Sequence, residues 1–202
     1  ATRNGLVKKT RLRLYGNIRK GGIWAIKLDK GDELIEVEIT SGDDEIMLAT
    51  RGGKAIRFSE KDVRPMGRYT RGVKGIELAP GDSVVSMLIV KERASVLTVC
   101  EKGYGKRTPF SEYHLQRRGG KGVINIKTTA RNGSVVGVKA VSPNHDLMAT
   151  TRQGQVIRMD IKGISLIGRA TQGVRVVRLR ENDELVSVAP VTEEEDEKIE
   201  SE

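Results

Sequence analysis

Thr50-Arg-Gly-Gly-Lys-Ala-Ile-Arg57 returns later in the chain as Thr151-Arg-Gln-Gly-Gln-Val-Ile-Arg158. Two further copies, Thr2-Arg-Asn-Gly-Leu-Val-Lys-Lys9 and Cys100-Glu-Lys-Gly-Tyr-Gly-Lys-Arg107, complete a series whose last common glycines lie 48, 50 and 51 residues apart. A second marker follows in each copy: Gly22-Ile-Trp-Ala-Ile26, Gly72-Val-Lys-Gly-Ile76, Gly122-Val-Ile-Asn-Ile126 and Gly173-Val-Arg-Val-Val177, at spacings of 50, 50 and 51. A turn comes next (Gly31-Asp32, Gly81-Asp82, Asn132-Gly133, Asn182-Asp183), then a β-branched run at 34–37, 84–87, 135–138 or 185–188. A fixed period decides architecture more firmly than local propensity, because equivalent residues must take equivalent places.

Short apolar runs punctuated by turn residues, with no long helical period, predict an all-β protein. A single small sheet cannot bury both faces, so the units must pack side by side in a propeller-like array. The expected array has about four four-stranded blades, over residues 1–49, 50–99, 100–150 and 151–190. Runs at 46–49, 96–99 and 147–150 are read as the strands that close the first three units. The fourth has no such run, so its blade is expected to be incomplete unless a strand is donated. The WD and GH dipeptides of the commonest propeller repeat are absent, and with seven aromatics in 202 residues the core must be aliphatic.

The net charge is +9, but residues 191–202 (VTEEEDEKIESE) carry −6, which leaves +15 on the first 190. A basic body with an acidic end, expected to be disordered and either solvated or competing for the basic surface, points to a polyanionic partner. The lone Cys100 offers neither an internal disulfide nor a zinc cluster. No apolar run reaches the roughly 18 residues of a spanning helix, so no membrane partner is expected. His114 and His145 stand in separate loops without a nucleophile or paired carboxylates, and neither catalysis nor a cofactor or metal is expected.

The least generic segment is Gln116-Arg-Arg-Gly-Gly-Lys-Gly122. Arg117 and Arg118 supply planar donor forks, Gly119, Gly120 and Gly122 allow close backbone approach, and Lys121 adds a point charge, together a workable phosphate clamp. One basic loop is also what a solvated surface shows. The other units are basic at the same place, however: Arg19 and Lys20 before Gly22, Arg68 and Arg71 around Gly72, and Arg169 before Gly173. Equivalent positions fall on one rim, which predicts a basic perimeter. Lys9, Arg57, Arg107 and Arg158 recur at one strand position and either extend this band or simply face solvent.

The heptapeptide at 116–122 resembles the box motif of the DNA gyrase A C-terminal domain. The resemblance runs through all four units, including Gly5-Leu-Val-Lys-Lys-Thr10, Arg64-Pro-Met-Gly67, Gly103-Tyr-Gly-Lys-Arg-Thr108 and Ile167-Gly-Arg-Ala-Thr-Gln-Gly173. It implies a β-pinwheel, normally of six blades that exchange strands, with duplex DNA wrapped on the outer rim in support of negative supercoiling. The implied partners are double-stranded DNA, the N-terminal part of gyrase A and, through it, gyrase B, in the cytoplasm at the bacterial nucleoid. The implied role is an accessory one in an ATP-dependent type II topoisomerase, with strand cleavage and ATP hydrolysis elsewhere in the enzyme. The family carries its box on the first blade, whereas here it lies on the third unit. The expectation is therefore a fragment with two blades preceding residue 1, against a shorter variant. The equivalent C-terminal domain of topoisomerase IV and a propeller binding an acidic protein are the alternatives.

Overall fold

The computed structural model describes residues 1–18 and 20–191. Arg19 and the acidic end at 192–202 lie outside the described residues, so the expectations placed on them have no structural counterpart here.

Thirteen strands and four short 3-10 turns make up the described elements. The strands are β1 (Leu6–Val7), β2 (Glu45–Thr50), β3 (Lys54–Ser59), β4 (Val73–Lys74), β5 (Val84–Ile89), β6 (Ser95–Cys100), β7 (Tyr104–Pro109), β8 (Val123–Ile124), β9 (Val135–Val141), β10 (Asp146–Thr151), β11 (Val156–Asp160), β12 (Val174–Arg175) and β13 (Leu185–Val191). Two sheets have four strands, ordered β5-β2-β3-β8 and β12-β7-β6-β9, a third has β11-β10-β13, and β1 pairs with β4. All of these strand pairings are antiparallel.

The period is the one in the sequence, but the sheets are cut differently. β2, β6 and β10, read as closing strands, are each the central strand of the following unit's sheet. β2, for example, pairs with β3 on one side and β5 on the other. Each hairpin turn therefore lies inside a sheet and joins its central strand to the next one in the chain, β2 to β3, β6 to β7 and β10 to β11. The short second-marker strand leaves its own unit instead: β4 joins β1, β8 joins β3, and β12 joins β7. The three-stranded sheet lacks this exchanged strand, not a closing one.

Two repeated backbone devices explain the markers. The carbonyl of Gly53 accepts from the amides of Asn125 and Ile126 at 2.9 and 3.1 Å, and those of Gly5 and Gly103 accept equivalent pairs from Gly75–Ile76 and Val176–Val177. In the Gly-Asp turns, Asp82 Oδ1 accepts from the amides of Gly52 and Ser83 at 2.7 and 2.8 Å, tying the turn to its own unit's hairpin; Asp32 and Asp183 do the same.

The core is divided among the seams. Val7, Leu48, Ile56, Phe58 and Ile76 fill the first, Met47, Ala55, Val96, Phe110 and Ile126 the second, and Leu97, Leu147, Ile161, Val177 and Leu185 the third. β2 and β6 are buried along nearly their whole length because both of their faces meet a seam. Cys100 is fully buried, and burial pushes its thiol up to about 12.

Lys106 is also fully buried, its ammonium donating to the Gly168 carbonyl across the third seam at 2.7 Å. Burial first, and the Arg169 charge second, lower its pKa to about 8. Unfolded lysine titrates near 10.4, so between about 8 and that value the unfolded chain holds more protons and stability rises with pH. Thermal melts from pH 7 to 10 are expected to show this gain in the native chain and to lose its Lys106 component in Lys106→Met. Parallel profiles for the two proteins would contradict a charged lysine buried at this seam.

Candidate nucleic-acid interface

In the second, third and fourth units, the segment between the 3-10 turn and the second glycine lies across the preceding unit. In the third unit this segment is the heptapeptide. The Gln116 amide donates to the Arg57 carbonyl at 3.0 Å, the Gly119 amide to Gly75 at 2.6 Å, and the Gly120 carbonyl accepts from Glu77 at 2.9 Å. Arg118 donates from Nε to the Asp62 carbonyl and from Nη1 to the Lys74 carbonyl, each at 2.9 Å. The loop is therefore a staple between units as well as a basic surface.

The staple recurs. Arg68 and Arg169, equivalents of Arg118, donate to the carbonyls of Trp24 and Ile124 at 3.2 and 3.4 Å. Those acceptors are equivalents of Lys74. The arginine four residues before the second glycine thus bolts its unit to the preceding exchanged segment. Arg169 also lies 5.9 Å from the centre of the Tyr113 ring.

Three of the four recurring strand cations turn to the next unit, and Arg158 alone is exposed. Arg57 donates to the carbonyls of Phe110 and Tyr113 at 2.9 and 3.1 Å, and Arg107 to that of Ile164 at 2.8 Å. Lys9 donates to the Glu60 carbonyl at 2.8 Å and pairs with the Glu60 carboxylate at 3.2 Å. All three meet the next unit's 3-10 turn, at the carbonyl of its first residue (Glu60, Phe110) or of its C-cap residue (Tyr113, Ile164). The reason is topological: the next unit's chain runs in parallel past β3 and β7, bridging Arg57 to Leu115 and Arg107 to Leu166. Arg158 bonds Asp146 within its own sheet at 2.6 Å.

Glu60 occupies the position of Phe110 and Ile161, and the sequence reading passed it over. Its burial favours the neutral acid, but the amides of Asp44 and Gly42, the Thr40 hydroxyl and Lys9 outweigh this and hold the carboxyl below its usual range. The spacing could have shown it, since a carboxylate stands in an apolar column.

What faces outward from the box is narrower than the motif. Arg117 is exposed, and Lys121 has an 81% exposed side chain with only a 3.9 Å approach to Glu77. Gln116 is partly buried, and its Nε2 has no acceptor among the described residues. Lys74, exposed beside Gly119, joins Arg117 and Lys121 on this surface. It was missed because it sits at a variable place in the second marker. Elsewhere Lys20 is exposed in the first unit, and at the first seam Arg71 pairs with Asp29 at 3.1 Å with 61% of its side chain exposed. Tyr104 lies between Arg131 and Arg175, whose hydrogen bonds hold its phenol below the usual range.

The glycines divide in the same way. A Cβ on Gly122, at φ +64°, would lie 2.3 Å from the Ala55 carbonyl oxygen, whereas one on Gly120 would meet nothing nearer than 3.7 Å. Gly122→Ala is expected to destabilise by more than about 2 kcal/mol in chemical denaturation, and Gly120→Ala to be nearly neutral. Equal tolerance of both substitutions would contradict the close approach at Gly122.

The DNA gyrase C-terminal domain, beta-propeller family matches residues 1–41, 44–91, 94–142 and 145–192, which are the limits at which the sheets divide once the exchanged strands β4, β8 and β12 are set aside. The DNA gyrase A protein of Escherichia coli strain K12 is 47% identical over 98% of this chain, which spans 22% of that protein. A solved gyrase A C-terminal domain superposes with a TM-score of 0.85 at 32% identity, over 95% of this chain and 64% of the other. A topoisomerase IV C-terminal domain superposes with a TM-score of 0.92 at 28% identity, over 100% of this chain and 64% of the other.

Proposed function

Because the chain belongs to the DNA gyrase C-terminal domain family, we propose that it binds duplex DNA without sequence preference along its basic rim and bends it there, as part of a gyrase A protein that acts with gyrase B at the nucleoid. One observation carries this reading. After the seam arginines have been assigned to backbone carbonyls, Arg117, Lys121 and Lys74 still stand outward at one seam; Lys20 is exposed in the first unit, and Arg71 is exposed but paired with Asp29. Cations not consumed by the fold are the ones available to phosphates.

The roles divide by chemistry. Arg117 offers a fork to a phosphate, Lys121 and Lys74 offer point charges, and Arg118, Arg68 and Arg169 hold the surfaces that carry them. Contacts of this kind position a duplex and carry no sequence information. Bending a 20–30 bp site by 40–90° costs roughly 1–6 kcal/mol, more than one box supplies, so several seams must act together. About six phosphate contacts correspond to a log-log salt slope near −5, by the counterion-release relation. The curated relatives carry the gyrase name, which favours this reading over the topoisomerase IV alternative.

Arg117→Ala/Lys121→Ala is expected to shallow the salt slope by about two and to weaken binding similarly on unrelated sequences, with the melting temperature unchanged. Arg118→Ala is expected to lower the melting temperature, since it unbolts the second seam. Fluorescence anisotropy across a salt series, with parallel melts, reads both. An unchanged slope in the double variant would remove the outward box residues from the interface.

A further inference from the structure

The chain has seven aromatic residues and one tryptophan. Phe58, Phe110, Tyr104 and Tyr113 are buried and Tyr15 is half-buried, whereas Trp24 is 71% and Tyr69 63% exposed. These two meet edge to face with ring centres 6.0 Å apart. Large rings left in water are costly unless they serve contact. Here the chain exposes its only tryptophan beside a second ring.

Their place in the repeat is informative. Trp24 is the equivalent of Lys74, and Tyr69 of Gly119, so the pair stands at the first seam where the second seam has the box. Lys74 and Arg175 at the same repeat position are exposed even though a preceding unit pairs with their strands. Ile124, at the same position of the third unit, is half-buried, so the position is at least partly open in each unit. Arg68, bonded to the Trp24 carbonyl, fixes the backbone, and the Lys27 amide donates to Thr70 at 3.1 Å beneath it. Lys8, Lys27, Arg68 and Arg71 lie in or bond to the two segments that carry the rings, Arg71 being paired with Asp29.

We infer that Trp24 and Tyr69 form an aromatic wedge that enters the minor groove of bound duplex at the seam between the first and second units, parting a base step and localising the bend there. The inference rests on the DNA-binding reading above and adds a contact of different physics. Cations hold phosphates on either side, while the rings supply apolar contact with the bases and relieve part of the bending cost. Apolar side chains inserted between base steps kink duplexes in this manner. The occupant is set by charge complementarity: the patch is apolar at its centre and cationic around it, which suits a polyanion with stacked apolar bases.

Trp24 is its own reporter. The chain is titrated with a short duplex of mixed sequence at low salt, following duplex anisotropy, Trp24 emission and acrylamide quenching together. Trp24 emission is expected to fall and the ring to become shielded from acrylamide over the range in which anisotropy rises. Trp24→Ala/Tyr69→Ala is expected to bind at least about fivefold more weakly with an unchanged salt slope, since stacking releases no counterions. A rise in anisotropy with Trp24 emission and quenching unchanged overturns the wedge and leaves the phosphate contacts standing. No rise in anisotropy overturns both. Shielding that is already present without DNA and grows with protein concentration assigns the rings to contact between copies, and also overturns the wedge.

Discussion

A glycine carbonyl that accepts two amides from the next unit is the contact on which the rest of this molecule depends. Gly5, Gly53 and Gly103 each make it, at φ between +78° and +83°. A Cβ on Gly53 would lie 2.2 Å from the Ile126 carbonyl oxygen, and one on Gly103 2.3 Å from that of Val177. Only glycine permits the exchanged segment to lie so close. The exchange then brings Ile76, Ile126 and Val177 into the seams, where they complete a core that no single unit could close. Gly22 and Gly154, at the outer units, have positive φ but meet nothing within 4 Å.

The same exchange sorts the positive charge. The next unit's chain crosses the outer end of β3 and β7, so a basic side chain there finds backbone carbonyls before it finds solvent. Lys9, Arg57 and Arg107 serve cohesion, and so do Arg68, Arg118 and Arg169. Arg117, one place before Arg118, Lys121, three places beyond it, and Lys74 on the exchanged strand remain exposed. In this molecule, then, outward cations and seam staples are built from neighbouring residues.

The period, the all-β class and the location of the basic loops were legible because three markers keep one register over four units. The sheet divisions were not. A run such as Ile46–Ala49 reads equally as the last strand of one unit or the first of the next, since both neighbours are apolar and only hydrogen bonding distinguishes them. The division of arginines was hidden for a related reason: Arg117 and Arg118 are adjacent and chemically identical, yet one faces solvent and the other two carbonyls. Lys74 and Trp24 fell at positions the repeat leaves variable, and a motif search looks for what recurs.

If the chain binds duplex DNA through its outward cations as proposed, it should change the path of that DNA as well as hold it. The most direct test incubates this chain at saturation with relaxed circular DNA, adds a relaxing topoisomerase, and reads linking number after the protein is removed. The account predicts a topoisomer distribution displaced from the protein-free control, in proportion to bound protein. An undisplaced distribution, with binding shown in parallel, would contradict it.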